Sequence, residues 1–183
     1  DDFRAAYPNV NFDFYEIPSD FAIPSVLNHV TEIGLIRSSL PGYASLAVYP
    51  YEKEEIVAIC RPEHPLMQSG SIIDISLLAD YPLAVPFDCL DLVRSSFGHH
   101  LLAPNISIIT SSNATAIEWA RSFKTVALAS LTAADFQHIR DLTVRHFSDE
   151  NLFITSAFIV NKEYPLSHAA RNFLRFHGVE GGG

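Results

Sequence analysis

Hydrophobic and polar residues alternate most cleanly in "NVNFDFYE", residues 9–16. There Val10, Phe12 and Phe14 fall on one side of an extended chain, and Asn11, Asp13 and Tyr15 on the other. This period of two predicts a strand over Val10–Glu16, after a helix end at Asp2–Ala6 that Tyr7-Pro8 breaks. A helix is predicted from Ser19 to His29. Glu32–Ile36 ("EIGLI") reads as a short buried strand of the parallel-sheet kind, and Ser45–Tyr51 and Glu55–Cys60 as two further strands. The prolines of "RPEHPL" then interrupt, as a crossover or hinge.

Downstream the same alternation of elements returns. Leu83–Val85 is a buried strand after Ile75–Leu78, with a loop at Pro86–Leu90 and a helix over Asp91–His100. Ile106–Ile109 is extended and leads through Ser111-Ser112-Asn113, three competent caps, into a helix over Ala114–Ser122. Val126–Ala129 is extended, Thr132–Ile139 helical, and Leu142–His146 and Leu152–Val160 extended. Leu166–Phe176 closes as an amphipathic helix, with Leu166, Ala169, Ala170, Phe173 and Leu174 on one face, and "EGGG" follows as a tail or linker. Strands alternating with helices predict an α/β fold with mostly parallel sheets, in two lobes linked by two crossings. Clefts between such lobes bind small molecules.

Composition narrows the possible partners. The 183 residues are 48% hydrophobic and 18% charged, ample for a core in one large domain or two lobes. Twenty-one acids against 12 Lys plus Arg give a formal charge of −9, which repels a phosphate backbone. Nucleic-acid contact is therefore expected only through a part outside this stretch. Two cysteines, Cys60 and Cys89, fit a reducing cytosol, Asp1-Asp2 is the opposite of a basic leader, and no apolar run reaches the roughly 20 residues of a membrane helix.

Catalytic constellations are weak. Cys60 and His64 are the best nucleophile–base pair, but the cysteine ends an apolar strand with no activating helix end, so a structural thiol is the stronger reading. His99-His100 lack the four-residue spacing that sets two imidazoles on one helix face for a metal. Asp88, Cys89 and Asp91 follow a strand end, where a polar loop is the simpler reading. What remains are two helix starts after strands, Ser19-Asp20 and Ser111-Ser112-Asn113. Their hydroxyls and free N–H groups meet the positive end of a helix and suit a carboxylate, with plain N-capping as the alternative. Asp20 adds a repelling charge. Pro24, at the fifth helical position if Ser19 is the cap, predicts a helix that becomes regular only from that proline.

"FRAAYPNVNFDFYE", "EIVAICRPEHPL", "ISLLADYPLAV" and the Leu152–Phe176 ending, in that order, resemble the effector-binding domain of LysR-type transcriptional regulators over about residues 3–177. The resemblance implies a two-lobed α/β fold of the type II periplasmic-binding-protein kind, with lobe I at 1–59 plus 157–177, lobe II at 60–156 and a tail at 178–183. It also implies no enzyme activity and no cofactor. A small and anionic organic effector would bind between the lobes, at Ser19, Asp20, Pro86, Phe87, Asp88, Ser111, Ser112 and Asn113. The whole regulator would be cytoplasmic, act as a homodimer or homotetramer, and reach promoter DNA through an N-terminal domain absent here. A solute receptor of the same fold, or a degenerate sensor kept for oligomerisation, are the alternatives.

Against that family this chain has His29 and Glu32 where a glycine and an aspartate usually precede the third strand, and Ser122 and Lys124 in place of a G-x-G. Positive φ is costly for these residues, so the resemblance implies different turns and a remodelled pocket. It also implies that the family's first strand has no counterpart before Asp1, and that a lobe lacking it exposes unpaired backbone and associates readily.

Overall fold

The computed structural model describes residues 2–37, 42–122, 124–131 and 139–179. The chain divides into two compact units, Asp1–Glu52 with Ser156–Gly183, and Lys53–Thr155. Two long strands run through both: β2 (Leu46–Cys60) and β8 (Phe153–Asn161). The two strands expected at Ser45–Tyr51 and Glu55–Cys60 are thus one element. Its polar middle, Glu52 to Glu55, stays extended between the apolar ends.

In the first unit, α1 (Asp2–Ala6) precedes α2 (Ser19–Leu27), β1 (Gly34–Arg37) and α5 (His168–Phe176). β1 runs antiparallel to β8, with Gly34 opposite Ile159 and Arg37 opposite Ser156. Ala22, Ile23 and Val26 of α2 pack with Ile36, Leu46, Ala157 and Ile159 on one side of these strands. Phe158, Val160, Leu174 and Val179 form the core on the other. Gly34 is required by close approach, since a Cβ there would lie 2.9 Å from Ile159 Cγ1 and 3.0 Å from Val26.

The strand expected at Val10–Glu16 does not form. Residues 10–18 carry no helix or strand assignment, and Phe14 and Tyr15 are exposed. Periodicity prescribes a two-faced segment but supplies no neighbour to hydrogen-bond it, and no described strand pairs here. Part of the segment is held by side chains instead. Phe12 meets Phe3 and Phe173 edge-on, with ring centroids 5.6 and 5.8 Å apart.

In the second unit the sheet is mixed rather than mostly parallel. β4 (Leu83–Pro86) lies parallel to β5 (Ile106–Thr110) and β6 (Val126–Leu131), whereas β2 is antiparallel to β6 and to β7 (Thr143–Phe147). β3 (Ile72–Ile73) pairs parallel with β7. α3 (Leu90–His99) contributes Leu90, Val93 and Phe97 to one core, and α4 (Asn113–Ala120) contributes Ala116, Ile117 and Ala120 to the other. The helix expected over Thr132–Ile139 lies outside the described residues, apart from Ile139.

Three helices end in the same way. In α2, α3 and α5 the third residue past the last helical one donates back to a carbonyl five residues earlier: Val30 to Ser25, Leu102 to Phe97 and Val179 to Leu174, at 2.9, 3.1 and 2.9 Å. The residue before each donor takes positive φ: His29 at 56°, Leu101 at 57° and Gly178 at 76°. The different turn expected from His29 is therefore corrected, because the histidine adopts the left-handed backbone that favours glycine. Its ring stacks on Tyr164 at 4.5 Å, which offsets the conformational cost. Glu32 accepts from the backbone N–H and hydroxyl of Ser167, at 2.6 and 3.0 Å, at the start of α5. Ser122 does not take positive φ.

Candidate functional site

Ser19 does not cap α2. The cap is Pro18, whose carbonyl accepts from Phe21 and Ala22 N–H at 2.9 and 3.1 Å, and Ser19 is the first helical residue. The helix is regular through Pro24 rather than from it. The carbonyl that lost its donor belongs to exposed Asp20, where water can serve. The Ser19 side chain is turned inward, 4% exposed, and accepts the backbone N–H of Arg37 at 3.0 Å. Phe21 beside it is 65% exposed.

In the second unit, Pro86 ends β4 fully buried. Phe87, Asp88 and Cys89 form a short 3-10 turn, with Phe87 exposed, Asp88 half-buried and Cys89 buried. At the next strand end Ser112 is the cap of α4. Its hydroxyl accepts Thr115 N–H at 3.3 Å, and its carbonyl accepts the buried Thr110 hydroxyl at 3.0 Å. Ser111 is exposed, while Asn113 is half-buried and reaches inward. Its amide nitrogen donates to the Ser130 carbonyl at 2.7 Å and to the Ser130 hydroxyl at 3.0 Å, and that hydroxyl donates to Glu54 Oε2 at 2.8 Å. The structure thus brings Ser112 and Asn113 together with Thr110, Ser130 and Glu54, three residues the sequence reading missed. Glu54, 2% exposed, could have been found by continuing the buried register of Ile56, Ala58 and Cys60 backwards along one unbroken strand.

The rival chemistry is accounted for structurally. Burial pushes the Cys60 thiol up to about 11, Arg145 offsetting only part of this, so the sulfur is a protonated core group at neutral pH. His64 is buried and caps the 3-10 helix Pro65–Gln68. Its Nδ1 accepts Leu66 N–H at 3.2 Å, and it hydrogen-bonds the Lys124 backbone. Burial lowers its pKa, so it sits neutral as a structural cap. His100 Nδ1 lies 3.8 Å from Asp74 at the end of α3. Among the described residues no group of three or more His, Cys, Asp or Glu could hold a metal ion. No described helix is long and apolar enough to cross a membrane. A depression of about 450 Å³ in the first unit, walled by Tyr49, Tyr51 and His177, touches none of the candidate residues.

The family model described as LysR substrate binding domain matches residues 1–178. The chain belongs to this family. No curated protein sequence matches it significantly. Among solved structures, this LysR-type domain superposes on the effector binding domain of QuiR in complex with shikimate, with a TM-score of 0.81 at 18% identity, covering 96% of this chain and 85% of that one. The C-terminal domain of a probable LysR family transcriptional regulator from Rhodococcus sp. RHA1 gives 0.77 at 19% identity, covering 97% and 88%. Full-length CbnR complexed with its target DNA gives 0.76 at 15% identity, and there the match spans 96% of this chain but only 61% of that one. The fold is thus the mixed α/β fold of LysR substrate-binding domains, of the type II periplasmic-binding-protein kind.

Proposed function

We propose that the chain is the small-molecule-sensing part of a LysR-type DNA-binding transcriptional regulator, and that its effector is a small organic anion held between the two lobes. The observation that carries this reading is the family match over residues 1–178. The anionic class is supported by the polar start of α4, where the backbone N–H groups of the first turn lie at the positive end of the helix. The QuiR domain's ligand, shikimate, is itself a carboxylate. Ser19, Asp20, Pro86, Phe87, Asp88, Ser111, Ser112 and Asn113 are the proposed contacts. Ser19 would then act through its backbone and its neighbours, because its hydroxyl already serves Arg37.

On this reading no bond is made or broken. The effector binds one lobe arrangement more tightly than another and shifts the population by that difference in affinity. The output reaches promoter DNA through an N-terminal domain of a cytoplasmic homodimer or homotetramer. The acidic balance of this stretch agrees with leaving DNA contact to another part. A thermal-shift and calorimetric screen of organic acids tests the proposal. Saturable stabilisation by at least one acid is expected, and none from any acid, with the intact regulator equally unresponsive, overturns it.

A further inference from the structure

Tyr49 and Tyr51 flank Pro50 in the first half of β2, so both rings leave the strand on the same face. Tyr49 packs against the core of Phe158 and Val160, and the Tyr51 ring lies 4.8 Å from that of Phe158. The turn that closes α5, His177-Gly178-Val179, supplies the other wall of the depression in the first unit. Its volume of about 450 Å³ falls within the roughly 300–1,000 Å³ of small-molecule sites. The His177 ring is fixed by its neighbours, with the centroids of Phe173, Phe176 and Phe158 at 4.6, 5.5 and 5.8 Å. Burial lowers its pKa, so at pH 7 the imidazole is neutral and can both donate and accept. Its Nδ1 lies 3.4 Å from the Tyr51 hydroxyl, longer than the roughly 2.7–3.2 Å of a well-made hydrogen bond. Gly178 keeps the space open. Of the three left-handed helix ends it alone is glycine, yet a Cβ built there meets nothing within 4 Å. Packing therefore does not demand the glycine, and His29 and Leu101 carry side chains in the same conformation.

We propose that this depression is a second small-molecule site, confined to the first unit, and that it takes an uncharged aromatic hydroxyl compound of the phenol class. The ligand ring packs against Tyr49, Pro50 and Tyr51, as aromatic side chains pack with one another. Its hydroxyl inserts between the Tyr51 hydroxyl and the His177 imidazole, donating to one and accepting from the other, and so completes a contact that the two make poorly alone. A carboxylate is disfavoured there. With His177 neutral, no lining side chain carries a charge, and Arg175 in the last turn of α5 is exposed and outside the lining. The depression also lies at the negative end of the α5 dipole. The site is independent of the organic-acid effector proposed above and shares no residue with its contacts.

Phenol and benzoate, titrated separately into the 183-residue chain and followed by NMR at the amides of Tyr49, Tyr51, Gly178 and Val179, test the site. Phenol is expected to shift these amides saturably, with a dissociation constant of about a millimolar, ordinary for so small a ligand. Benzoate should bind there at least about tenfold more weakly, because its charge goes uncompensated. Tyr51→Phe keeps the ring and removes the hydroxyl, and should weaken phenol by about fivefold, the worth of one hydrogen bond. Gly178→Leu fills the depression with the side chain that α3 carries at the matching position as Leu101, and should abolish binding. Should that variant fail to fold, the Tyr51→Phe ratio decides alone. Phenol that leaves the four amides unshifted, or that binds Tyr51→Phe or folded Gly178→Leu as tightly as the parent, overturns the proposal. Benzoate binding as tightly as phenol overturns the uncharged class. None of these outcomes touches the effector reading, which rests on organic acids binding elsewhere.

Discussion

The hydroxyl of Ser19 accepts the backbone N–H of Arg37 at 3.0 Å, so the first residue of α2 is tied to the last residue of β1. The serine is buried, and removing its oxygen strands a backbone donor rather than a helix cap. Ser19→Ala is expected to lower stability by about 1–3 kcal/mol, the usual cost of leaving a buried donor unmatched. Urea denaturation measures this directly. A loss below about 0.5 kcal/mol, the range of an ordinary surface substitution, would show that water replaces the hydroxyl.

Leu101 occupies the left-handed position that closes α3, with φ of 57° and 95% exposure. It therefore bears the conformational cost of a branched side chain there with almost no burial to offset it. Leu101→Gly should stabilise the protein by about 1 kcal/mol. His29→Gly, at the matching position of α2, should gain less, because it deletes the stack on Tyr164. Thermal unfolding of both variants orders the two effects, and a destabilised Leu101→Gly would mean that the leucine has a partner in solution.

Stability should fall at both ends of the pH range for identifiable reasons. Burial depresses the pKa of His64, so below about pH 6.5 the unfolded chain takes up a proton that the folded chain resists. The stabilisation present above that pH is lost as pH falls through the folded value. Cys60 works at the other end. Its folded value is raised to about 11 from an ordinary thiol value of 9.0, so the contribution is complete below pH 9 and lost as pH rises towards 11. The loss is at most about 3 kcal/mol. Cys60→Ala should remove the alkaline arm from a series of denaturation curves, and His64→Asn should flatten the acid arm while keeping a cap for Leu66.

How much of this was legible in the sequence follows from which interactions are local. The buried strands Leu83–Pro86 and Val126–Leu131 are visible as apolar runs, and the α5 face with buried Ala170 and Leu174 as a helical stripe. Capping at Ser112 was within reach because the bond spans three residues. Ser19 resembles a cap in sequence, whereas its hydroxyl's partner, the Arg37 N–H, is 18 residues away. The Glu54–Ser130–Asn113 chain joins residues up to 76 apart in sequence, and no local pattern announces it. The sequence around His29 gives no sign that it can keep a glycine conformation, because the compensating Tyr164 ring lies far along the chain. Val10–Glu16 shows the reverse error, since alternation describes a strand's faces and says nothing of its edges.

Those edges lead to the last expectation. Among the described residues β1 has one partner, β8, and lies at the end of the strand order. Arg37 turns its N–H to Ser19, away from β8, and in an antiparallel pair the residue two before it points the same way. Leu35 therefore directs its N–H and C=O outward, beneath a side chain that is 46% exposed. The segment 10–17, which has no strand assignment, adds exposed Phe12, Phe14, Tyr15 and Ile17 to the same unit. An open edge together with exposed apolar side chains of high strand propensity favours pairing between chains. The 183-residue chain is expected to self-associate with rising concentration. Leu35→Lys, which sets a charge on the edge, should weaken that association by about tenfold or more, the effect of at least 1.4 kcal/mol. Sedimentation velocity over a range of concentrations decides it: a chain that stays monomeric throughout, or a Leu35→Lys variant that associates as strongly as its parent, would mean that this edge is closed in solution.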